Sequence, residues 1–218
     1  MSHRLLDLYE RLYAAYGPQH WWPGESPLET IVGAILTQSA AWTNVEKAIA
    51  NLKAAGALAP DELLALSERE LAHIIRPSGY FNAKARKLKA FIEMLYARFD
   101  GDLQRLLRTP HSQLRALLLA TNGIGPETAD AIILYAAGQP AFVIDAYTRR
   151  TFARLGLAPD TDSYHDWQRL FTQALPSDAA LFNEYHAMIV RHGKDICRKR
   201  PLCPECPLLD VCPTGGQT

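Results

Sequence analysis

Three groups of residues in this chain have the types and spacing of chemistry. The first is Cys197-x5-Cys203-x2-Cys206-x5-Cys212, which contains all four cysteines of the 218 residues. Thiolates so close together can wrap one metal centre. Zinc tetrathiolate sites usually pair two C-x2-C knuckles, and only one is present. A single C-x2-C with wider arms suits a 4Fe–4S cube, whose irons need thiolates spread around a larger object. Zinc and free thiols are the alternatives. The second group is the glycine turn Asn122-Gly123-Ile124-Gly125-Pro126-Glu127-Thr128. Glycines there allow a tight helix–helix turn, and they also let a phosphate approach the amides that open the next helix. Ile124 would pin the turn into the core. The third is Asp145, which follows the short apolar run Ala141 to Ile144 and opens a helix. It is either an N-cap or a reactive carboxylate. The roles are compatible, because a helix N-terminus keeps a carboxylate ionised.

Helices must position these groups. Apolar residues recur at the helical period through most of the chain, and alternating strand patterns are scarce. Ser26-Pro27 reads as a helix start before the apolar run Leu28 to Leu36. Arg76-Pro77-Ser78-Gly79 reads as a turn before a long basic helix, Asn82 to Phe99. Helices on either side of the glycine turn, and three more behind Asp145, complete an all-α reading. No repeat, long linker or compositional domain boundary is visible.

The chain carries 23 Lys and Arg against 23 Asp and Glu. That balance argues against a uniformly basic nucleic-acid binder, yet it varies along the sequence. Residues 76–100 hold six basic side chains against two acidic ones, and 189–218 hold five against three. The N-terminal residues lack the apolar core of a secretory signal, and no apolar stretch is long enough to span a bilayer. A cytoplasmic location is expected, where clustered cysteines serve metals more often than disulfides.

In this order the motifs resemble the helix-hairpin-helix DNA glycosylases of the endonuclease III superfamily. The features that carry the resemblance are Leu36-Thr37-Gln38, Gly79-Tyr-Phe-Asn-Ala-Lys84-Ala, the hairpin Asn122 to Ala129, Val143-Ile-Asp145, and His192-Gly-Lys194 leading into the cysteines. The first cysteine gap is five residues, one shorter than in the best-known members. Trp21-Trp22-Pro23 and Arg76-Pro-Ser-Gly-Tyr80 are more closely similar to 3-methyladenine glycosylases of the endonuclease III type. The resemblance implies two helical lobes, one over 23–129 and one from 1–22 with 130–218, with the cluster loop at 197–212. It implies a monomer that binds damaged double-stranded DNA in the cleft between the lobes and flips the damaged base into a pocket. Gly123, Ile124, Gly125 and Thr128 would grip a phosphate. Gln38 would fill the hole left by the base, or simply end a helix.

Members with lyase activity place a lysine just after the hairpin to form a Schiff base with the sugar. Here that position is Glu127. The resemblance therefore implies a monofunctional enzyme in which Asp145 assists water or stabilises charge on the sugar. Glu127 lines the pocket or is a favourable acid in the first helical turn. Trp21, Trp22, Pro23, Trp42 and Tyr147 are candidate pocket residues, or ordinary packing residues. Lys194 would close the pocket or meet a phosphate, unless it is a solvated charge at a helix end. A cationic alkylated purine would stack on an indole for about 0.5–2 kcal/mol per contact, and it leaves without a strong general acid.

Overall fold

The computed structural model describes residues 2–215. Every regular element among them is helical. In chain order these are α1 (Ser2–Tyr16), α2 (Pro27–Leu36), α3 (Trp42–Ala54), α4 (Pro60–Ala65), α5 (Glu68–Ile74) and α6 (Phe81–Phe99). They are followed by α7 (Leu103–Leu107), α8 (His111–Ala120), α9 (Pro126–Ala131), α10 (Ala146–Arg154), α11 (Tyr164–Thr172) and α12 (Ala179–Asp195). The chain divides into two compact units. One is the inserted unit, Pro23–Gln139; the other is the terminal unit, Met1–Trp22 with Pro140–Thr218.

The division falls at Gln139 and not at Ala129, because α9 does not stop there. It runs on through a π-helical turn, Ile132–Ala136. The buried Ile132, Ile133 and Leu134 of that turn keep it against α2. Gln139 Nε2 then donates to the carbonyls of Leu107 and Thr109 at 3.0 and 2.9 Å, which fastens the end of the segment to the same unit.

In the inserted unit α2 is the central helix. Ser26 caps it by accepting from the Glu29 amide at 3.2 Å, and Pro27 takes the first position, where its missing N–H costs nothing. Residues Leu28 to Leu36 are all buried, so this apolar run is a helix surrounded by others. The basic helix α6 packs against α2, α4 and α5. Its lysines do not all face water. Lys89 is buried and donates to the carbonyls of Leu63, Leu64 and Leu66 at 3.3, 2.7 and 2.9 Å, covering the end of α4. Lys84 is 2 % exposed. Its Nζ donates to Leu36 O at 2.7 Å and Ser78 O at 2.6 Å, so it joins the end of α2 to the Arg76–Gly79 turn. Burial, with help from Lys87, holds this ammonium below the usual lysine pKa.

The terminal unit is built on α12. The Leu5, Leu8 and Leu12 stripe of α1 is buried where α1 packs on α12, and Tyr185 Oη donates to Leu5 O at 2.8 Å. The short apolar run before Asp145 is not a strand. It is a buried connector whose Phe142 stacks on Phe171 at 4.0 Å and meets Phe182 and Tyr185 edge-on. Gln168 Nε2 satisfies the Phe142 carbonyl at 2.9 Å. The connector therefore delivers Asp145 from a rigid aromatic core.

Lys84→Met keeps the aliphatic stem and removes the ammonium that serves two buried carbonyls. It should cost about 1–3 kcal/mol, measured by urea unfolding, whereas Arg86→Met on the exposed face of the same helix should cost little.

Candidate active site

Asp145 caps α10. Its Oδ1 accepts from the Thr148 amide at 2.7 Å and from Thr148 Oγ1 at 2.9 Å. Its Oδ2 lies 3.6 Å from Nε2 of the buried His186 on α12. Burial by itself would raise the Asp145 pKa. His186 and the Thr148 donors outweigh it, and the carboxyl is held below the usual aspartate range. The cap and the ionised carboxylate are thus one arrangement.

Helices α10 and α12 meet closely beyond this point. A Cβ on Gly193 would lie 2.6 Å from the Tyr147 ring, so only glycine lets that ring lie on α12. Arg150 lies 5.1 Å over the other side of Tyr147 and donates to the Gly193 and Cys197 carbonyls at 2.7 and 2.8 Å. Lys194 is exposed, with its Nζ 5.8 Å from the centre of the Trp21 ring. Trp21 and Trp22 lie in the irregular segment after α1, with ring centroids 5.4 Å apart. The terminal unit therefore holds Asp145, Tyr147, Lys194, Trp21 and Trp22.

It also holds the cysteines. Cys197, Cys203, Cys206 and Cys212 line one cavity, together with Arg154, Ile196 and Leu208. Arg154 Nη1 donates to Cys197 Sγ at 3.3 Å and the Leu208 amide to Cys206 Sγ at 3.4 Å. Burial pushes the Cys206 thiol up, and the other three thiols add to this against the Leu208 hydrogen bond. Four thiolates here call for a cationic group to hold their charge. Among the described residues no three His, Cys, Asp or Glu side chains are grouped to hold a single metal ion. The donor set, four thiols around a cavity with N–H groups aimed at sulfur, fits a larger 4Fe–4S cube. Arg198, Lys199 and Arg200 stand exposed on the same loop.

The inserted unit holds the hairpin between α8 and α9. Ile124 is 4 % exposed and pins the turn, as its position between two glycines suggests. Gly123 has φ +84°, and a Cβ there would lie 2.3 Å from the Lys87 stem. Gly125 is exposed with open space before it. Thr128 is buried and Glu127 is exposed in the first turn of α9. Arg115 clamps the two helices through Asp130, with contacts of 2.7 and 3.1 Å. Gln38 does not project freely. Its Nε2 donates to Gly123 O at 3.2 Å and to Thr128 Oγ1 at 2.9 Å, and its Oε1 accepts from Lys87 Nζ. Gln38 and the hairpin are thus one assembly.

Pro23 and Trp42 line a separate cavity of this unit with Glu29, Glu46 and Lys53. Trp42 Nε1 donates to Glu46 Oε1 at 2.9 Å. Glu29 is 7 % exposed and pairs with Lys53 at 2.9 Å.

Several of these side chains escaped the sequence reading. His186 sits in the middle of an apolar helix, with nothing in its spacing to mark it. Lys84 and Lys87 stand out in sequence only as members of a long basic helix, Lys84 also within a family motif, with no bonding role for either. Tyr80 is 74 % exposed with φ 45°, at the turn that Lys84 ties to the end of α2. An aromatic after a glycine turn was its only signal.

A family model, the HhH-GPD superfamily base excision DNA repair protein, matches residues 32–177. A candidate DNA repair glycosylase of Methanocaldococcus jannaschii is 43% identical over 210 residues, covering 95% of both chains. Endonuclease III of Sulfolobus acidocaldarius is 30% identical over 185 residues, covering 84% of this chain and 80% of its own. Among solved structures, an endonuclease III–DNA complex has a TM-score of 0.86 at 23% identity, covering 100% of this chain and 97% of the other. The H. pylori 3-methyladenine DNA glycosylase bound to 1,N6-ethenoadenine has a TM-score of 0.77 at 26% identity, covering 87% and 97%. On the family match and the extent of these relatives, the chain belongs to the HhH-GPD superfamily of base excision DNA repair proteins.

Proposed function

We propose that this DNA repair glycosylase is monofunctional. It would hydrolyse the N-glycosidic bond of an alkylated purine such as 3-methyladenine, flipped from double-stranded DNA. The observation that carries the reading is the Asp145 carboxylate. It is mostly buried, held ionised, and tied to Thr148 through one oxygen. Such a group stabilises positive charge that develops on the sugar, and it orients a water toward C1′. Glu127 at the position after the hairpin supports hydrolysis without a Schiff base, since a carboxylate cannot form one. Its exposed place in the first turn of α9 favours the helix-dipole role over a part in chemistry.

The alkylated substrate rests on the chemistry of the aromatic residues. Trp21 and Trp22 offer indole faces in one unit, and Trp42 beside Pro23 and the two carboxylates offers another. An electron-rich indole holds a cationic base by stacking and cation–π attraction. The kinship with the 3-methyladenine enzyme supports the same choice. The DNA backbone would be met by the open amides at Gly125 and by the exposed Arg198, Lys199 and Arg200. Gln38 and Tyr80, on the two turns joined by Lys84, suit contact with a distorted duplex. Few phosphate contacts would give a shallow salt dependence.

Cys197, Cys203, Cys206 and Cys212 would hold a 4Fe–4S cluster that fixes the C-terminal loop. When bound, the cluster supplies a rigid cationic core that ties the four thiolates together. Arg154 supports it from α10 through Cys197 Sγ and the carbonyls of Arg198 and Lys199.

Duplexes with single defined lesions decide the substrate. Release of 3-methyladenine without release of uracil or thymine glycol is expected. Asp145→Asn should lower excision by about 10²–10⁴-fold while duplex affinity is kept. Borohydride should trap no covalent protein–DNA complex; a trapped complex would overturn the monofunctional reading. The purified protein should be brown, with iron and acid-labile sulfide. Cys206→Ser should lose that colour and unfold at a lower temperature, and a colourless wild type containing zinc would overturn the cluster.

A further inference from the structure

His186 lies in the interior of α12, 5 % exposed, in a buried stretch of the helix that continues through Ala187, Met188 and Ile189. A histidine in that setting has a cost in desolvation that an aliphatic residue would not. Its Nε2 points at the Asp145 oxygen that Thr148 leaves open, at 3.6 Å. The two carboxylate oxygens are therefore not equivalent. Oδ1 already takes two donors, the Thr148 amide and hydroxyl, which fills its two lone-pair directions. Oδ2 faces the imidazole at 3.6 Å and offers a lone pair to a reacting sugar or water.

We propose that His186 is a positioning residue for Asp145: its imidazole holds Oδ2 in place and makes that oxygen the reacting one. The proposal rests on the glycosylase reading, with Asp145 as the catalytic residue. The distance is longer than a formed hydrogen bond, and such contacts commonly tighten when substrate binds.

Other charged or titratable groups on the neighbouring elements are engaged elsewhere. On α10, Arg149 pairs with Asp162 at 2.6 Å, and Arg150 donates to the Gly193 and Cys197 carbonyls. On α12, Glu184 accepts from the Gln19 amide at 2.6 Å, Tyr185 Oη donates to Leu5 O, His192 is bonded to Tyr16, and Lys194 lies over Trp21. On α11, Tyr164 Oη accepts from the Ile144 amide at 3.3 Å. His186 is the titratable side chain placed against Oδ2, and it is the charged partner that favours the Asp145 anion.

The sign follows. The favoured ionised form keeps Asp145 active as pH falls into the ordinary carboxylate range. Removing the imidazole raises the carboxyl pKa, so the acid limb of the excision profile moves to higher pH. Single-turnover excision by wild type and His186→Gln should show that limb displaced upward by about one unit or more, with duplex affinity unchanged. An unmoved limb in a folded variant overturns the proposal. The second measurement needs no activity. The 13C titration of the Asp145 carboxyl should move to higher pH in folded His186→Gln than in wild type; an unmoved step overturns the proposal. If wild type releases no base from any lesion while this displacement is present, the glycosylase reading falls and the pairing of the two residues stands.

Discussion

A carboxylate held away from water must be kept charged, and much of the terminal unit is arranged around that requirement. Desolvation works against the Asp145 anion. The amide and hydroxyl of Thr148, at the start of α10, and the imidazole from α12 together reverse it. Each depends on helix placement. Thr148 is in reach because Asp145 is itself the cap, and His186 is in reach because α10 lies closely on α12. That close packing needs Gly193, whose missing side chain admits the Tyr147 ring. It also needs Arg150, which joins the far end of α12 to Cys197. One electrostatic demand thus extends from a connector through two helices to the cysteine loop.

The inserted unit uses charge in the opposite way. The stretch that contains its basic helix carries six cations between 76 and 100. Two of them, Lys84 and Lys89, are buried and cover helix-end carbonyls. Lys87 reaches the Gln38 side chain and packs its stem on Gly123. Only Arg76, Arg86 and Arg98 remain exposed in that stretch. The local positive charge therefore organises turns more than it presents a surface.

The helical class, the hairpin with its buried Ile124 and the cap at Asp145 were legible because each has a local signal: period, glycine spacing, or a carboxylate before a helix. Boundaries slipped where a local signal was missing. The end of the inserted unit was misplaced because nothing in Ile132–Ala136 announces a π-turn. The five-residue α7 was too short to show a period. The site was legible only through residue types. His186 and Lys84 take their roles from neighbours distant in sequence, Asp145 in one case and Leu36 in the other. Gln38 stood out as a residue that fills the hole left by a base or ends a helix, but its bonds to Gly123 and Thr128 come from tertiary packing alone.

The division of the chain also has a consequence in time. Pro23–Gln139 is one continuous stretch, whereas its companion is assembled from both ends. During synthesis, domains close in the order they emerge. The inserted unit can bury its core while α12 is still being made. The Leu5, Leu8 and Leu12 stripe of α1, translated before the inserted unit, has to wait for α12 before it finds its partner. Until then an apolar helix is left uncovered on the nascent chain. The carboxylate, its histidine and the cysteine loop come together only after α12 has been made, so a product that stops at Gln139 would carry the hairpin without the chemistry.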